Sequence, residues 1–358
     1  MAIITVPGRT ELAGNHTDHQ HGRVLVSAIH LSIQADFTAN SDSVIRLRSQ
    51  RYGELVIPLN QLGVRPAEFG TPISLARGVA AAFQDLGLSI GGFDATITST
   101  LPIGVGLSSS AAFSVLIARI LNVLYNDDRI ENIVLARAAH TAEKIHFGKP
   151  SGITSQLACV FGHTLYVDLK TNEFERIEAD FAAMGLSMCL VNTGGTHDKL
   201  NTSYARIPAD MKYIANLFDE GVLADVDPEE FRAKGWDSSN RPVRRAMHFF
   251  DENDRVPKMR DALKAANGEA YMKLMNESGR SSEELLNNIV TSTTDDTRLL
   301  EGLELSASLL EGRGAWRVHG GGFAGCVQAL MPQDYFPIYR SEMEKRFGSG
   351  SCIPIRLV

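Results

Sequence analysis

The chain has 358 residues, of which 44% are hydrophobic and 22% charged, so it is neither disordered nor fibrous and can bury a substantial core. Its formal net charge is -7 at pH 7, and lysine and arginine are scattered along the sequence, which argues against a nucleic-acid partner. The length predicts about two domains.

The cysteines and the apolar segments bear on the cellular environment. Cys159, Cys189, Cys326 and Cys352 lie far apart and form no CxxC pair, which fits neither a disulfide framework nor a structural zinc site. No run of about 18 apolar residues is present, and the N-terminus has no basic stretch followed by an apolar one. We therefore expect a cytoplasmic protein that does not associate with membranes.

The first half of the chain predicts strands followed by helices. Four short β-branched runs in the first 60 residues predict a meander of strands. Helical spacing at 73–86 ends before Gly87, which is suited to a C-terminal cap. The segment 93–100 alternates apolar and polar residues, as a half-buried strand does. Residues 109–124 are apolar almost all round, which predicts a helix buried in the core.

The second half predicts mainly helices, with strands near its two ends. The predicted elements are a helix at 130–145, strands at 163–169 and 188–192, helical segments through 196–310 and a strand at 326–331. Helices and strands are therefore partly segregated. This arrangement favours an α+β fold over a regular βαβ repeat.

A loop rich in glycine and serine precedes the buried helix. A glycine-rich turn at a helix N-terminus presents free N–H groups and the positive end of the helix dipole, which suit a polyphosphate. The alternative is a simple turn in which Ser108 caps the helix. The Walker pattern GxxxxGK[ST] does not occur in the sequence. The residues of this Gly–Ser loop are Gly104, Gly106, Leu107, Ser108, Ser109, Ser110 and Ala111.

A second glycine-rich loop begins with Gly320, Gly321 and Gly322 and ends at Gly325, so it matches GxGxxG. A dinucleotide site requires such a loop to open a helix within a βαβ unit, but the next segment, CVQALM, is stopped by Pro332 and is typical of a strand. We interpret the loop as a turn that lets backbone approach either a ligand or the Gly–Ser loop.

A histidine-rich segment allows a different class of function. His16, Asp18, His19 and His21 lie within the sequence HTDHQH, and histidine and aspartate are common metal ligands. A metal-dependent hydrolase is therefore one alternative. The HxxHxH spacing does not gather these side chains on one face, however, and a histidine-rich surface loop is the commoner arrangement.

Three segments in register resemble the GHMP kinases, and among them the galactokinase family: PGRTELAGNHTDHQHG at 7–22, LPIGVGLSSSAA at 101–112 and VHGGGFAGC at 318–326. Looser similarity at 141–162 and 192–211 extends the likeness over nearly the whole chain. The resemblance implies an N-terminal domain of ribosomal-protein-S5-like topology and a C-terminal ferredoxin-like domain. We place the boundary at residue 195, giving domains of 1–195 and 196–358.

The resemblance also implies an activity and a site. It implies transfer of the γ-phosphate of Mg-ATP to a hydroxyl, expected at the anomeric carbon, of galactose or a related small neutral sugar. The Gly–Ser loop would hold the phosphates, Ser110 and Glu143 would bind Mg²⁺, and Arg9 would lie beside the transferred phosphoryl group. The third motif is Gly320 to Gly322. Residues implied to contact the sugar are Asn15, His16, Asp18, Gly152 and Tyr204. We expect a monomer.

Two positions depart from the galactokinase pattern. Ser155 stands at the catalytic position where the family has an aspartate regarded as the base, and Asn15 stands where it has a sugar-binding glutamate. A serine hydroxyl is a poor proton acceptor near pH 7, and loss of a general base costs about 10²–10⁴-fold in rate. Because phosphoryl transfer depends mainly on positioning and charge neutralisation, turnover without the base is still feasible. The alternative is a weak or inactive sugar- and ATP-binding regulator.

Overall fold

The computed structural model describes residues 2–102, 104–149, 151–194, 200–290 and 296–358. This part of the chain forms two β-sheets, one of seven strands and one of four, with helices packed against them. The predicted α+β class is confirmed.

The seven-stranded sheet is built around one long strand of 17 residues, β2, which pairs antiparallel with β1, β5 and β6. The sequence predicts two strands here, at 24–29 and 33–38. They are continuous because the residues between them, His30 to Ser32, include no glycine or proline to end the strand. The strands of this sheet are β1 Ala2–Ala13, β2 Arg23–Ala39, β3 Val44–Ser49, β4 Gly53–Pro58, β5 Phe93–Ser99, β6 Leu165–Asp168 and β7 Glu173–Arg176.

Four helices complete the N-terminal half. The helix predicted at 109–124 is confirmed as α2, and its consecutive residues 114–118 are all buried, so it is enclosed on every side. The helix predicted at 130–145 is confirmed as α3, which continues into a π-helical turn at Ala142–His146. The helices are α1 Pro72–Asp85, α2 Ser109–Tyr125, α3 Asn132–Thr141 and α4 Thr154–Phe161, and 3₁₀ turns occur at Asp18–Gln20 and Pro66–Glu68.

The four-stranded sheet is antiparallel and has the order β11, β8, β10, β9. The mainly helical character predicted for 196–310 is confirmed for the described residues. The elements are β8 Leu186–Asn192, α5 Asn201–Asn216, a 3₁₀ turn at Leu223–Asp225, α6 Pro228–Ala233, α7 Arg241–Lys264, α8 Gly268–Ser281 with a π-helical turn at Ser282–Leu286, α9 Arg298–Leu310, β9 Ala315–His319, β10 Cys326–Pro332, α10 Phe336–Phe347 and β11 Cys352–Ile355.

The division of the chain at residue 195 stays a prediction, and residues 195–199 lie outside the described ranges. β8 precedes that boundary, yet it pairs with β10 and β11 and so groups with the C-terminal half by sheet membership. One buried apolar cluster also joins the halves, with Val115 and Leu165 from the first and Val256, Tyr271 and Leu330 from the second. The two sheets therefore share a core.

The four cysteines are buried, and all are free thiols. Within the described ranges, no helix combines the length and the apolar character needed to cross a lipid bilayer.

Candidate active site

β1 carries Arg9 across the Gly–Ser loop (residues 104–111). Half-exposed residues alternate with buried ones along β1, which places Arg9 and Glu11 on the same face. The backbone N–H of Arg9 donates to the carbonyl of Leu107 at 3.2 Å, and its Nη1 donates to the carbonyl of Gly106 at 3.1 Å. Arg9 is therefore held against the loop by both its backbone and its side chain.

The Gly–Ser loop is shaped by left-handed backbone conformations. Gly104, Gly106 and Ser108 have φ angles of 80°, 73° and 59°, a region that glycine enters freely and other residues seldom enter. α2 begins at the next residue, Ser109, and Ser108 makes no side-chain capping bond to it. Ser108 thus occupies the N-cap position, as the alternative predicts, but its side chain does not cap the helix. The first N–H groups of α2 are left for another acceptor, at the positive end of the helix dipole.

The side chains of the same loop differ in what they can offer a ligand. Leu107 and Ala111 are buried, so only their backbone groups can face a ligand. Ser109 and Ser110 are half-buried at the start of α2. The loop therefore combines backbone donors with two accessible hydroxyl groups.

Ser155, in the first turn of α4, meets both β1 and the Gly–Ser loop. Its Oγ accepts a hydrogen bond from Arg9 Nε at 3.0 Å and another from Ser108 Oγ at 3.1 Å. A hydroxyl has two lone pairs and one proton, so both acceptor positions of Ser155 are occupied. What Ser155 can still offer is its own O–H as a donor. This geometry agrees with the expectation that Ser155 does not act as a base.

A buried carboxylate lies beside the start of α2. Glu143 Oε1 accepts from Ser110 Oγ at 2.5 Å and from Lys149 Nζ at 3.0 Å, while Oε2 accepts from Ser151 Oγ at 3.3 Å and from the Gln156 amide. Burial by itself would raise the pKa of Glu143, but Lys149 and these hydrogen bonds outweigh it and hold the pKa below its usual value. The carboxylate is therefore ionised near neutral pH.

The pair Ser110 and Glu143 fits a magnesium ion in its chemistry. A hydroxyl and an ionised carboxylate are the hard oxygen ligands that Mg²⁺ prefers, and here they adjoin a loop suited to phosphates. Lys149 supplies the positive charge at this carboxylate, and its side chain is 52% exposed, so it has room to withdraw when a cation binds.

The loop between β1 and β2 (residues 14–22, the β1–β2 loop) holds Asn15, which is buried. Asn15 Nδ2 donates to Glu11 Oε1 at 3.2 Å and to the Gly320 carbonyl at 2.7 Å. Its Oδ1 accepts from Ser282 Oγ at 3.3 Å and from Asn288 Nδ2 at 3.2 Å. An amide offers two donors and two lone pairs, so protein groups use all four positions. The geometry does not support the predicted sugar contact of the Asn15 side chain, because the side chain is already saturated.

Two residues of α7 anchor the backbone of this loop. Glu252 Oε1 accepts from the N–H of Gly14 at 3.0 Å and of Asn15 at 3.4 Å, and His248 Nε2 is 2.9 Å from the Asn15 carbonyl. Glu252 is fully buried. Burial alone would raise the pKa of Glu252. The nearby groups Arg255, His248 and Arg317 outweigh burial and lower this pKa to about 2. The loop is thus tied to an ionised carboxylate inside the protein.

His16, Asp18 and Gly152 are brought together next to α4. His16 Nε2 lies 3.1 Å from the Gly321 carbonyl, and burial lowers the pKa of His16 to about 3, so the imidazole is neutral. Asp18 Oδ2 accepts from Thr154 Oγ1 at 3.3 Å. A Cβ atom at residue 152 would overlap Asp18 Oδ2, so this close approach requires glycine. These three predicted sugar-binding residues therefore lie close together.

The loop between β9 and β10 (residues 320–325, the β9–β10 loop) lies against His16. The strand predicted at 326–331 is confirmed as β10, and β9 and β10 form an antiparallel hairpin, which excludes a dinucleotide-binding βαβ unit. His319, the last residue of β9, has its Nε2 3.3 Å from the Gly106 carbonyl, so the end of this strand lies against the Gly–Ser loop. The backbone carbonyls of Gly320 and Gly321 instead meet the side chains of Asn15 and His16. Tyr204 donates from its hydroxyl to the Gly322 carbonyl at 2.8 Å.

The histidines of the β1–β2 loop do not form a metal centre. His16 Nδ1 and His19 Nε2 are 3.3 Å apart and bond to each other. In the part of the chain that the structure describes, no three or more histidine, cysteine, aspartate or glutamate side chains are grouped to hold a metal. The alternative of a metal-dependent hydrolase therefore has no ligand cluster to support it.

Sequence reasoning missed several residues of this site. Glu11 had a usable signal, since strand alternation puts it on the face of β1 that carries Arg9. Glu252, His248 and Asn288 had none, because they reach the β1–β2 loop from more than 230 positions away.

Comparison with known proteins agrees with this geometry. A family model described as GHMP kinases N terminal domain matches residues 74–163, and one described as galactokinase galactose-binding signature matches residues 2–35. Galactokinase of Clostridium tetani is 26% identical over 349 residues, covering 95% of this chain and 86% of that protein.

Solved structures share the whole fold. Lactococcus lactis galactokinase complexed with galactose aligns with a TM-score of 0.85 at 22% identity, covering 99% of this chain and 93% of the other. Mevalonate kinase of Methanococcus jannaschii aligns with a TM-score of 0.69 at 20% identity, covering 100% and 98%. The chain therefore shares the fold of these GHMP kinase structures. In sequence, it is similar to the GHMP kinases at residues 74–163 and to the galactokinases at residues 2–35 and over most of its length.

Proposed function

We propose that this protein is a sugar kinase that transfers the γ-phosphoryl group of ATP to a hydroxyl of galactose, expected at the anomeric carbon. The observation that carries the proposal is the position of Arg9, which bonds both the Gly–Ser loop and Ser155 of α4. It therefore lies where a nucleotide on the loop would meet an acceptor beside Asp18 and Gly152. The galactokinase relatives support galactose as the acceptor.

The phosphate side of the reaction rests on the Gly–Ser loop. The uncapped N-terminus of α2 would bind phosphate oxygens through its N–H groups. We further propose that Ser110 and Glu143 hold Mg²⁺, which when bound neutralises charge on the phosphates. The Arg9 guanidinium would stabilise the charge that develops on the transferred phosphoryl group.

The acceptor side would be lined by His16, Asp18, Gly152 and Tyr204. Both ring nitrogens of His16 already bond to the protein, at His19 and Gly321, so His16 would border the sugar. Asp18 would accept hydrogen bonds from sugar hydroxyls through its remaining lone pairs. Tyr204 borders this space through its bond to the β9–β10 loop.

Residue 155 supplies no base to accept the proton of the sugar hydroxyl. Both lone pairs of Ser155 are occupied, so the proton would pass to a phosphoryl oxygen or to solvent. The loose transition state of phosphoryl transfer demands little of a base, so this route costs rate without preventing the reaction. We propose that the protein acts in the cytoplasm as a monomer.

The test is ADP release from Mg-ATP against a panel of hexoses and pentoses, with the product read by phosphorus NMR. Galactose-dependent ADP release with an anomeric phosphate is the expected result. ATP binding by calorimetry without phosphorylation of any sugar would overturn the proposal in favour of the regulator. The relatives do not favour that alternative.

A further inference from the structure

A carboxylate that the family pattern does not assign lies on the strand that carries Arg9 and beside the β1–β2 loop. Glu11 sits two residues after Arg9 on the same half-exposed face of β1, and its side chain is 15% exposed. One of its oxygens, Oε1, accepts from Asn15 Nδ2 at 3.2 Å and lies 3.4 Å from Arg317 Nη2. The carboxylate is therefore fixed in position through a single oxygen.

The second oxygen of Glu11 is available. Among the residues that the structure describes, none donates a hydrogen bond to Oε2, and Oε2 is not one of the buried polar atoms that lack a partner. It therefore keeps some exposure to solvent on a side chain that is 15% exposed. A carboxylate oxygen that is held rigid on one side and open on the other is well suited to accept a hydroxyl.

The neighbouring carboxylates differ from Glu11 in this respect. Both oxygens of Glu143 accept hydrogen bonds around Ser110, and Glu252 is fully buried against the β1–β2 loop. Asp18 is the other carboxylate of the acceptor side, and both of its oxygens already accept a bond from the protein. Glu11 therefore has the least engaged carboxylate oxygen near Arg9.

Asn15 holds the carboxylate of Glu11 in position. Its amide uses all four hydrogen-bonding positions within the protein, and one of them holds Glu11 Oε1. An asparagine at residue 15 thus orients a glutamate at residue 11, whereas the galactokinase pattern has the glutamate at residue 15 itself.

We propose that Glu11 accepts a hydrogen bond from one hydroxyl of the acceptor sugar and so determines sugar specificity, with Asn15 as its positioning residue. The proposal rests on the proposed function, because the ligand is the acceptor of that kinase. Arg317 donates to Glu11 Oε1 and to the backbone carbonyl of Glu11, so it fixes the side chain without blocking Oε2.

The test compares wild type with Glu11→Gln on galactose and on its 2-, 3-, 4- and 6-deoxy derivatives. Gln keeps the shape and an acceptor oxygen but removes the charge. We expect KM for galactose to rise about 10-fold, since charge-assisted hydrogen bonds are roughly twice as strong as neutral ones. KM for ATP should stay unchanged. One deoxy derivative lacks the hydroxyl that Glu11 contacts. Wild type and Glu11→Gln should bind that derivative with equal affinity.

Two further variants separate contact from structural support. Asn15→Ala should weaken binding of the same sugars and spare the same deoxy derivative. Glu54→Gln removes an exposed carboxylate on β4 and should change nothing. The midpoint of thermal unfolding for each variant shows that the fold is kept.

Each outcome bears on a stated claim. An equal penalty of Glu11→Gln on every sugar, or none on any, would overturn the role of Glu11. Should wild type bind galactose without phosphorylating it, the kinase proposal fails, and calorimetric affinities of the same set still decide the Glu11 contact. Absence of binding to every sugar would overturn both.

Discussion

The Gly–Ser loop and the β1–β2 loop both contact the β9–β10 hairpin, but different kinds of groups hold them. The Gly–Ser loop is shaped by left-handed backbone at Gly104, Gly106 and Ser108. The β1–β2 loop is held by buried side chains, chiefly Asn15 and Glu252. The Gly–Ser loop therefore depends on glycine at positions with positive φ, whereas the β1–β2 loop depends on distant side chains. Both departures from the family pattern, Asn15 and Ser155, fall outside the Gly–Ser loop.

The largest effect is expected for Arg9→Ala, which removes the side chain that bonds to both the Gly–Ser loop and Ser155. Turnover should fall about 10²–10³-fold, as it does when one preorganised transition-state donor is lost. Steady-state ADP release measures it. Arg48→Ala, at an exposed arginine of β3, is the matched control and should behave as wild type. Equal rates in Arg9→Ala and wild type would remove Arg9 from the mechanism.

Glu143→Gln tests the phosphate half alone. It should reduce turnover about 100-fold and raise the Mg²⁺ concentration needed for half-maximal rate, because the ionised carboxylate is lost. A titration of rate against Mg²⁺ at fixed ATP measures this, with KM for galactose as the internal control. A normal Mg²⁺ dependence would contradict the assignment of Glu143.

Ser155→Asp tests the acceptor side by adding a group that is expected to raise the rate. Placing a carboxylate beside Arg9 restores a base, and galactose phosphorylation should increase about 10-fold, which is below the full range for general bases. Ser155→Ala is the comparison variant, since it removes the hydroxyl without adding a base. If Ser155→Asp folds but gains no rate, the cleft does not position the galactose hydroxyl at residue 155.

Glu252 gives the smallest effect on the rate and a separate one on stability. A pKa lowered from 4.5 to about 2 corresponds to roughly 3 kcal/mol of stabilisation, at about 1.4 kcal/mol per unit. Because the native pKa is depressed, this stabilisation is complete above pH 4.5 and disappears as the pH falls towards 2. Urea unfolding at pH 7 and pH 3 measures it.

The variant Glu252→Gln supplies the control for that measurement. Its deficit in unfolding free energy relative to wild type should be large at pH 7 and much smaller at pH 3. KM for galactose should rise a few-fold, because Glu252 holds the β1–β2 loop, while KM for ATP should not change. The same deficit at both pH values would show that the charge of Glu252 does not stabilise the fold.

The sequence predicts the parts of this molecule whose cause is local. α2 was accessible because its residues are apolar almost all round, and β10 was accessible from Pro332, which ends the apolar run. The side-chain partners of Asn15 were not accessible. Two of them, Ser282 and Asn288, lie more than 260 residues further along the chain, and no local pattern records such a contact.

The distance along the chain between the β1–β2 loop and its anchors also governs when the sugar side of the cleft is completed. Gly14 leaves the ribosome 238 residues before Glu252, the residue that accepts its N–H. Domains generally fold from the N-terminus during synthesis. All seven strands of the large sheet therefore leave the ribosome before α7, which carries Glu252, and the acceptor subsite forms only after α7 has emerged. A nascent chain stopped before residue 241 would carry the Gly–Ser loop but not a finished sugar pocket.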